Sequence, residues 1–423
     1  MEKEWEVQRK RITNISLGLR KKYYSKLLDD SCYFDSPHGI DGNMSESIGA
    51  WPEFIFRGTF CRRTFKGYCS PCFYSQFPLE RKETGDKYIQ MVRNQFDYVI
   101  DNFEELVVKR QFGSLQQKEL DAPITFVMTP TGSYFDDTEF PQELRIEMLC
   151  KLVALSKNYR MGFHLLIECH CKDWNKLDFN SEYTKYEIDL LKKLNTRVLL
   201  GFESENEYIR NVLYNKNLEM QEFTSAYKEV MNNGLEVGIF IFAGLFSMND
   251  ALTYKDVCNS ICFALDRNIA PVIMFQNVQQ YTITDVLFQA KQINLIEPFT
   301  VMEIVLFLII EIEKRGMESM EWLVADPKGG PPVPEFNIFD CAKITSQENA
   351  EKIYDMICEL RLTRNRHVFI LKAQNLRETP NYREYQQMLQ KCFKYNYLPE
   401  NTDRLLLSAE NIINMKEVKR YDL

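Results

Sequence analysis

Three cysteines lie close together early in the chain, Cys61 in Arg57-Gly58-Thr59-Phe60-Cys61, then Cys69 and Cys72, a C-x7-C-x2-C spacing. Three thiolates from one loop can bind three irons of a [4Fe–4S] cubane and leave the fourth iron open to another ligand. Zinc is the alternative, since Cys69-Ser70-Pro71-Cys72 would supply two tetrahedral ligands. A zinc site would call for a second such pair. The chain has four histidines (His38, His164, His170 and His367), none of them paired, and no other C-x-x-C.

Other residue types point to binding or to plain structure. Glu168 closes an otherwise apolar run, and a buried carboxylate without a partner is costly, so it should have one. Glu203 and Ser204 end another apolar run and meet the same logic. Arg210, about two helical turns beyond Glu203, is suited to a bidentate carboxylate clamp or to a surface pair with Glu207. Gly132 permits close backbone approach next to Ser133, or serves an ordinary turn. Asp136 and Asp137 precede Pro141 and are read as helix-capping carboxylates ahead of acid–base groups. Cys169 and Cys171 alternate, so on a strand they face one side; with Cys258 and Cys262 they are read as core residues. Asn277, Gln279, Gln280 and Tyr281 are polar and neutral, fit either to orient a substrate or to satisfy loop backbone.

The elements that must position these groups alternate between strand and helix. Phe54–Phe56, Ile124–Met128, Phe163–Ile167, Arg197–Phe202, Val237–Phe242 and Val272–Phe275 are short runs, mostly apolar on both faces, as in a covered parallel sheet. Helical patterns lie between them, among them an amphipathic stretch from Asp86 to Gln111 and a helix opening after Pro141. Right-handed crossovers then place the chemistry at the carboxyl ends of the strands. The expected fold is α/β: a partial (β/α)6 barrel over residues 51–285, an N-terminal extension over 1–50 and a mainly helical region over 286–423. Helices are expected from Ser346 to Leu362 and from Asn381 to Phe393.

At 423 residues the chain can bury a large core, and 45% hydrophobic with 26% charged residues is a globular composition. The charged N-terminus does not read as a signal peptide, and the longest apolar run, Ile304 to Ile310, is too short to span a bilayer. Twelve cysteines in such a chain suit a reducing cytoplasm. A net charge of -8 lowers the expectation of broad nucleic-acid binding. The basic segments Arg9-Lys10-Arg11 and Arg20-Lys21-Lys22 are read as a solvated helix face rather than a phosphate-binding patch.

The block from Arg57 through the three cysteines to Tyr74 resembles the radical S-adenosylmethionine (SAM) subunit of archaeosine synthase and, more distantly, the elongator catalytic subunit. Further blocks are similar in the same order: Thr131 to Pro141, Gly201-Phe202-Glu203-Ser204 with Asn206, Ile209, Arg210, Asn215 and Lys216, then Asn277-Val278-Gln279-Gln280 and Glu359 to Thr363. The resemblance covers roughly Arg57 to Thr363. It implies a [4Fe–4S] cluster on Cys61, Cys69 and Cys72, SAM on its open iron and a 5'-deoxyadenosyl radical. It also implies SAM contacts from Tyr74, Gly132, Ser133, Glu168, Glu203, Ser204 and Arg210, with Glu168 on the ribose. A flavodoxin- or ferredoxin-like electron donor is expected. The implied substrate is a 7-deazaguanine-modified tRNA. Three departures and the acidic charge favour a small molecule instead: Glu168-Cys169-His170-Cys171 lacks the family's arginine, Ala243-Gly244-Leu245 replaces K-P-P, and Asp340-Cys341-Ala342-Lys343 keeps one cysteine of a pair.

Overall fold

The computed structural model describes residues 2–27, 44–45, 52–56, 61–72, 86–112, 122–130, 132–328, 336–393 and 398–414. Its centre is one eight-stranded sheet in strictly sequential order. β1 (Met44–Ser45) pairs antiparallel with β2 (Glu53–Phe56). The parallel strands then follow: β3 (Ile124–Pro130), β4 (Phe163–Cys169), β5 (Arg197–Glu203), β6 (Glu236–Ala243), β7 (Ala270–Phe275) and β8 (Leu323–Val324). Sequential parallel order, with helices in the connections, is that of a (β/α) barrel left open. All six expected strands are present. The two-residue β8 adds a seventh parallel strand.

Alternation along the strands sorts side chains into two layers. Val127, Leu166, Leu199, Phe240, Val272 and Leu323 form a separate apolar layer on the concave face. Their neighbours, such as Phe126, Leu165, Val198, Ile239 and Ile273, join the large core beneath the outer helices. Both faces are therefore dry, which explains the unbroken apolar runs in the sequence. Pro141 caps the helix Gln142–Ser156, as expected, with extended backbone. The amphipathic stretch after Asp86 is not one helix: Asp86–Asp101 gives way to a π-helical turn, Glu104–Val108, and then to Lys109–Phe112.

The N-terminal extension contains α1 (Glu2–Leu27), which packs beside the C-terminal helix Leu398–Asn414. Arg11 joins them, donating to Glu410 (2.9 Å) and Asp403 (3.1 Å). The basic face read from the sequence is thus divided, and Arg20 is buried rather than solvated. The apolar run Ile304 to Ile310 lies in the buried helix Pro298–Lys314, and among the described residues no helix is long and apolar enough to cross a membrane.

Candidate active site

The cysteine loop leaves β2 and opens with Cys61 as the N-cap of a single helical turn, α2 (Arg62–Phe65). Cys69 is buried, and Cys61 and Cys72 are half-buried. Cys69 adopts φ 54°, and the Cys72 N–H donates to its carbonyl at 2.9 Å, so a tight turn sets the C-x2-C spacing. The loop is tied down on four sides. The Arg62 N–H donates to Glu139 (2.6 Å), beyond β3, and Arg63 pairs with Asp173 (2.7 Å), beyond β4. Beyond β5, the N–H groups of Cys69 and Ser70 donate to the carbonyls of Asn215 (3.1 Å) and Tyr214 (2.8 Å). On the fourth side, Arg20 of α1 donates to four of the loop's carbonyls.

Glu139 is the bridge that sequence reasoning missed. It is buried, and its other oxygen accepts from the Ser133 N–H (3.2 Å). A Cβ at Gly132 would collide with this carboxylate, so glycine is required for Glu139 to reach the cysteine loop. Burial pushes Glu139 up to about 8, although the two N–H donors oppose the shift. Gly132 thus has a purpose inside the protein. The Ser133 hydroxyl is likewise engaged, accepting from the His170 N–H at 3.1 Å.

At the mouth, Glu168 faces the concave side, two residues beyond Leu166 of the apolar layer. Among the described residues its carboxylate has no hydrogen-bond donor. Burial, then Glu53, pushes it up to about 8, and Lys216 opposes. Glu203 sits across a register shift at the end of β5, with φ 76°, and accepts from Lys216 at 2.6 Å. A Cβ at Gly201 would strike the Lys216 amine, so this buried pair needs that glycine. Burial works against the ammonium, but Glu203 and then Cys69 outweigh it and keep it charged. Strained backbone of this kind at a strand end is typical of functional positions.

Two expected contacts stand apart from this group. Arg210 is buried and donates to the carbonyls of Leu218 (3.0 Å), Ser204 (2.9 Å) and Glu205 (3.1 Å). It braces the β5 loop and is neither a surface arginine nor an open clamp. The Ser204 hydroxyl donates to Asp256 (2.7 Å) and accepts from the Asn206 N–H (3.0 Å). Asp136 pairs with Arg62 and Asp137 with Arg145, which is buried against Glu187. Cys169 ends β4 while Cys171 starts the next helical turn, so they do not share a strand; both are buried in the core as expected. Tyr74 lies outside the described residues.

The Cys61 thiol is strongly perturbed. Burial first, then Glu139, then Cys69 and Cys72, raise the Cys61 thiol well above its ordinary range. The donor type suits an iron–sulfur cluster, because three cysteines on one loop can bind three irons and leave the fourth open. Among the described residues no three His, Cys, Asp or Glu side chains are gathered for a single metal ion.

An open parallel barrel with its polar groups at the strand carboxyl ends defines an α/β protein of the (β/α) type. No known protein-family description matches the chain. It is 22% identical over 313 residues to an uncharacterised protein of Methanocaldococcus jannaschii, covering 74% of this chain and 73% of that one. Among solved structures it overlays the archaeal Elp3 of Methanocaldococcus infernus, truncated at its N-terminus, with TM-score 0.36 and 13% identity over 56% of this chain. It overlays the radical S-adenosylmethionine methyltransferase TsrM of Kitasatospora setae with TM-score 0.35 and 10% identity over 58% of this chain. The overlays span 55% and 41% of those chains.

Proposed function

We propose that the protein is a radical SAM enzyme, with a [4Fe–4S] cluster on Cys61, Cys69 and Cys72 and SAM at the open iron. The observation that carries this reading is the tethering of the cysteine loop over the carboxyl ends of β3, β4 and β5, where barrel enzymes do their chemistry. When bound, the cluster supplies the electron that cleaves SAM to methionine and a 5'-deoxyadenosyl radical, which takes a hydrogen atom from the substrate.

The chain's own residues bind, aim and exclude water. Glu168 offers a carboxyl group with no protein donor among the described residues, which suits it to accept from a ribose hydroxyl. Glu203, fixed by Lys216, forms the adjoining wall. The apolar layer of Val127, Leu166, Leu199 and Phe240 closes the floor against water. The substrate is a small molecule entering near Asn277, Gln279 and Tyr281, and a flavodoxin or ferredoxin delivers the electron.

Anaerobic purification tests this. Iron and sulfide bound by the three cysteines, with dithionite-dependent release of methionine and 5'-deoxyadenosine from SAM, is the expected result. Colourless, zinc-containing protein that leaves SAM intact would overturn it.

A further inference from the structure

Arg20 is 4% exposed. Its Nη1 donates to the carbonyls of Thr64 (2.6 Å) and Tyr68 (3.0 Å), and its Nη2 to those of Cys69 (2.9 Å) and Cys72 (3.2 Å). All four acceptors belong to the cysteine loop, and two belong to the cysteines themselves. Four carbonyls around one planar fork fix the course of Thr64 to Cys72 more firmly than a flexible ammonium would.

The charge is the second half of the argument. A guanidinium stays protonated in proteins, and a buried charge is costly unless an opposite charge stands near it. Among the described residues no carboxylate lies within ion-pair reach of Arg20, and every acceptor it uses is neutral. The loop it grips carries Cys61, Cys69 and Cys72, whose thiolates would supply the opposite charge once they hold a cluster. We infer that Arg20 is a positioning residue for the cluster and its built-in counter-charge: it holds the loop in register and favours the more negative, reduced cluster. The N-terminal extension is then part of the site rather than an appendage. This inference rests on the radical SAM reading and goes beyond it.

Two variants test it, Arg20→Gln and Arg20→Lys, each reconstituted anaerobically and checked for folding by circular dichroism. Two readouts need no turnover: the cluster's midpoint potential, and the rate at which a chelator bleaches its visible absorption. Arg20→Gln is expected to bleach at least tenfold faster. Its potential should move negative by up to a tenfold change in the reduction equilibrium, about 59 mV for one electron. Arg20→Lys should bleach faster while keeping the potential near wild type, because the charge remains. Wild-type bleaching and potential in both variants would overturn the inference. If Arg20→Gln does not fold, Arg20→Lys decides alone: faster bleaching upholds the positioning role and an unchanged rate overturns it. Wild-type protein that takes up no iron would instead refute the radical SAM reading, so the two failures are distinct.

Discussion

The two ends of the barrel hold similar residue types in opposite states. At the amino ends of the strands, Arg197 donates to Glu236 and pairs with Glu321 at 3.1 Å, and His164 lies 3.7 Å and 3.5 Å from the same two carboxylates. His164, with help from Arg197, draws Glu236 down to about 2. At the carboxyl ends, Glu168 and Glu139 are both pushed up to about 8 by burial, beside the raised Cys61 thiol. One end is an ionic cluster paired within the protein. The other holds carboxyl groups pushed toward the protonated form by burial, the kind of perturbed group that functional sites collect.

The largest effect that would break this contrast is at the thiols. Changing Cys61, Cys69 or Cys72 singly to alanine should abolish iron binding and SAM cleavage, while Cys169→Ala should leave iron content unchanged. Full iron in Cys69→Ala, measured by metal analysis, would remove the cluster from the carboxyl end. Next in size is an effect on stability. Lys216→Met strands Glu203 next to Glu168 in a buried setting and should cost about 3–5 kcal/mol in urea unfolding. Arg197→Met leaves carboxylates that reach water, and should cost only about 1 kcal/mol. Equal losses would mean that the two ends do not differ in how their charges are held.

The sequence and the structure agree where a local pattern carried the information. Six strands were legible because a sheet covered on both faces makes short apolar runs; β8 was not, because two residues hold no period. The spacing puts the three cysteines on one loop, and the structure has Cys61, Cys69 and Cys72 there. Arg20 was misread because its partners lie 44 to 52 residues away, and a basic run near a terminus looks like a wet helix face. Glu139 and Lys216 stood inside blocks already singled out, but their roles depend on Gly132 and Gly201 giving way to them, which is a matter of packing. Arg210 seemed free to clamp a ligand because backbone carbonyls as partners leave no trace in a sequence.

The ends should also differ in the sign of their pH dependence. Glu236 is depressed in the fold, so its contribution is present above the ordinary carboxyl value of about 4.3 and is lost as pH falls toward about 2. Glu168 is raised, so the native state binds more protons than the unfolded one between about 4.3 and about 8, and stability falls as pH rises through that window. Glu168→Gln should therefore gain on the order of 1 kcal/mol at pH 8 and nothing at pH 4, since the site is partly open to solvent. The same variant should bind SAM about 1–3 kcal/mol more weakly, by loss of a hydrogen bond. A stability gain that persists at pH 4 would place its cause outside this carboxyl group.

The smallest effect concerns the outer surface of α1, which the contrast leaves out of the chemistry. A tRNA substrate would be gripped through phosphates, and binding would then weaken steeply with salt. Of the basic residues in this segment, Arg11 is paired with Glu410 and Asp403, Lys10 lies 3.3 Å from Glu6, and Arg20 is buried under the cysteine loop. A net charge of -8 also works against a polyanion. Replacing Arg9 and Lys10 with glutamine should change turnover less than twofold, and raising salt from low to physiological levels should change it no more than that. Arg11 is kept in this test, because its loss would loosen α1 from Leu398–Asn414 and confuse stability with binding. Tight tRNA association that fades with salt and disappears in the double variant would restore a modified tRNA as the substrate. It would leave the cluster assignment standing, because the cysteines lie at the strand ends and not on this face.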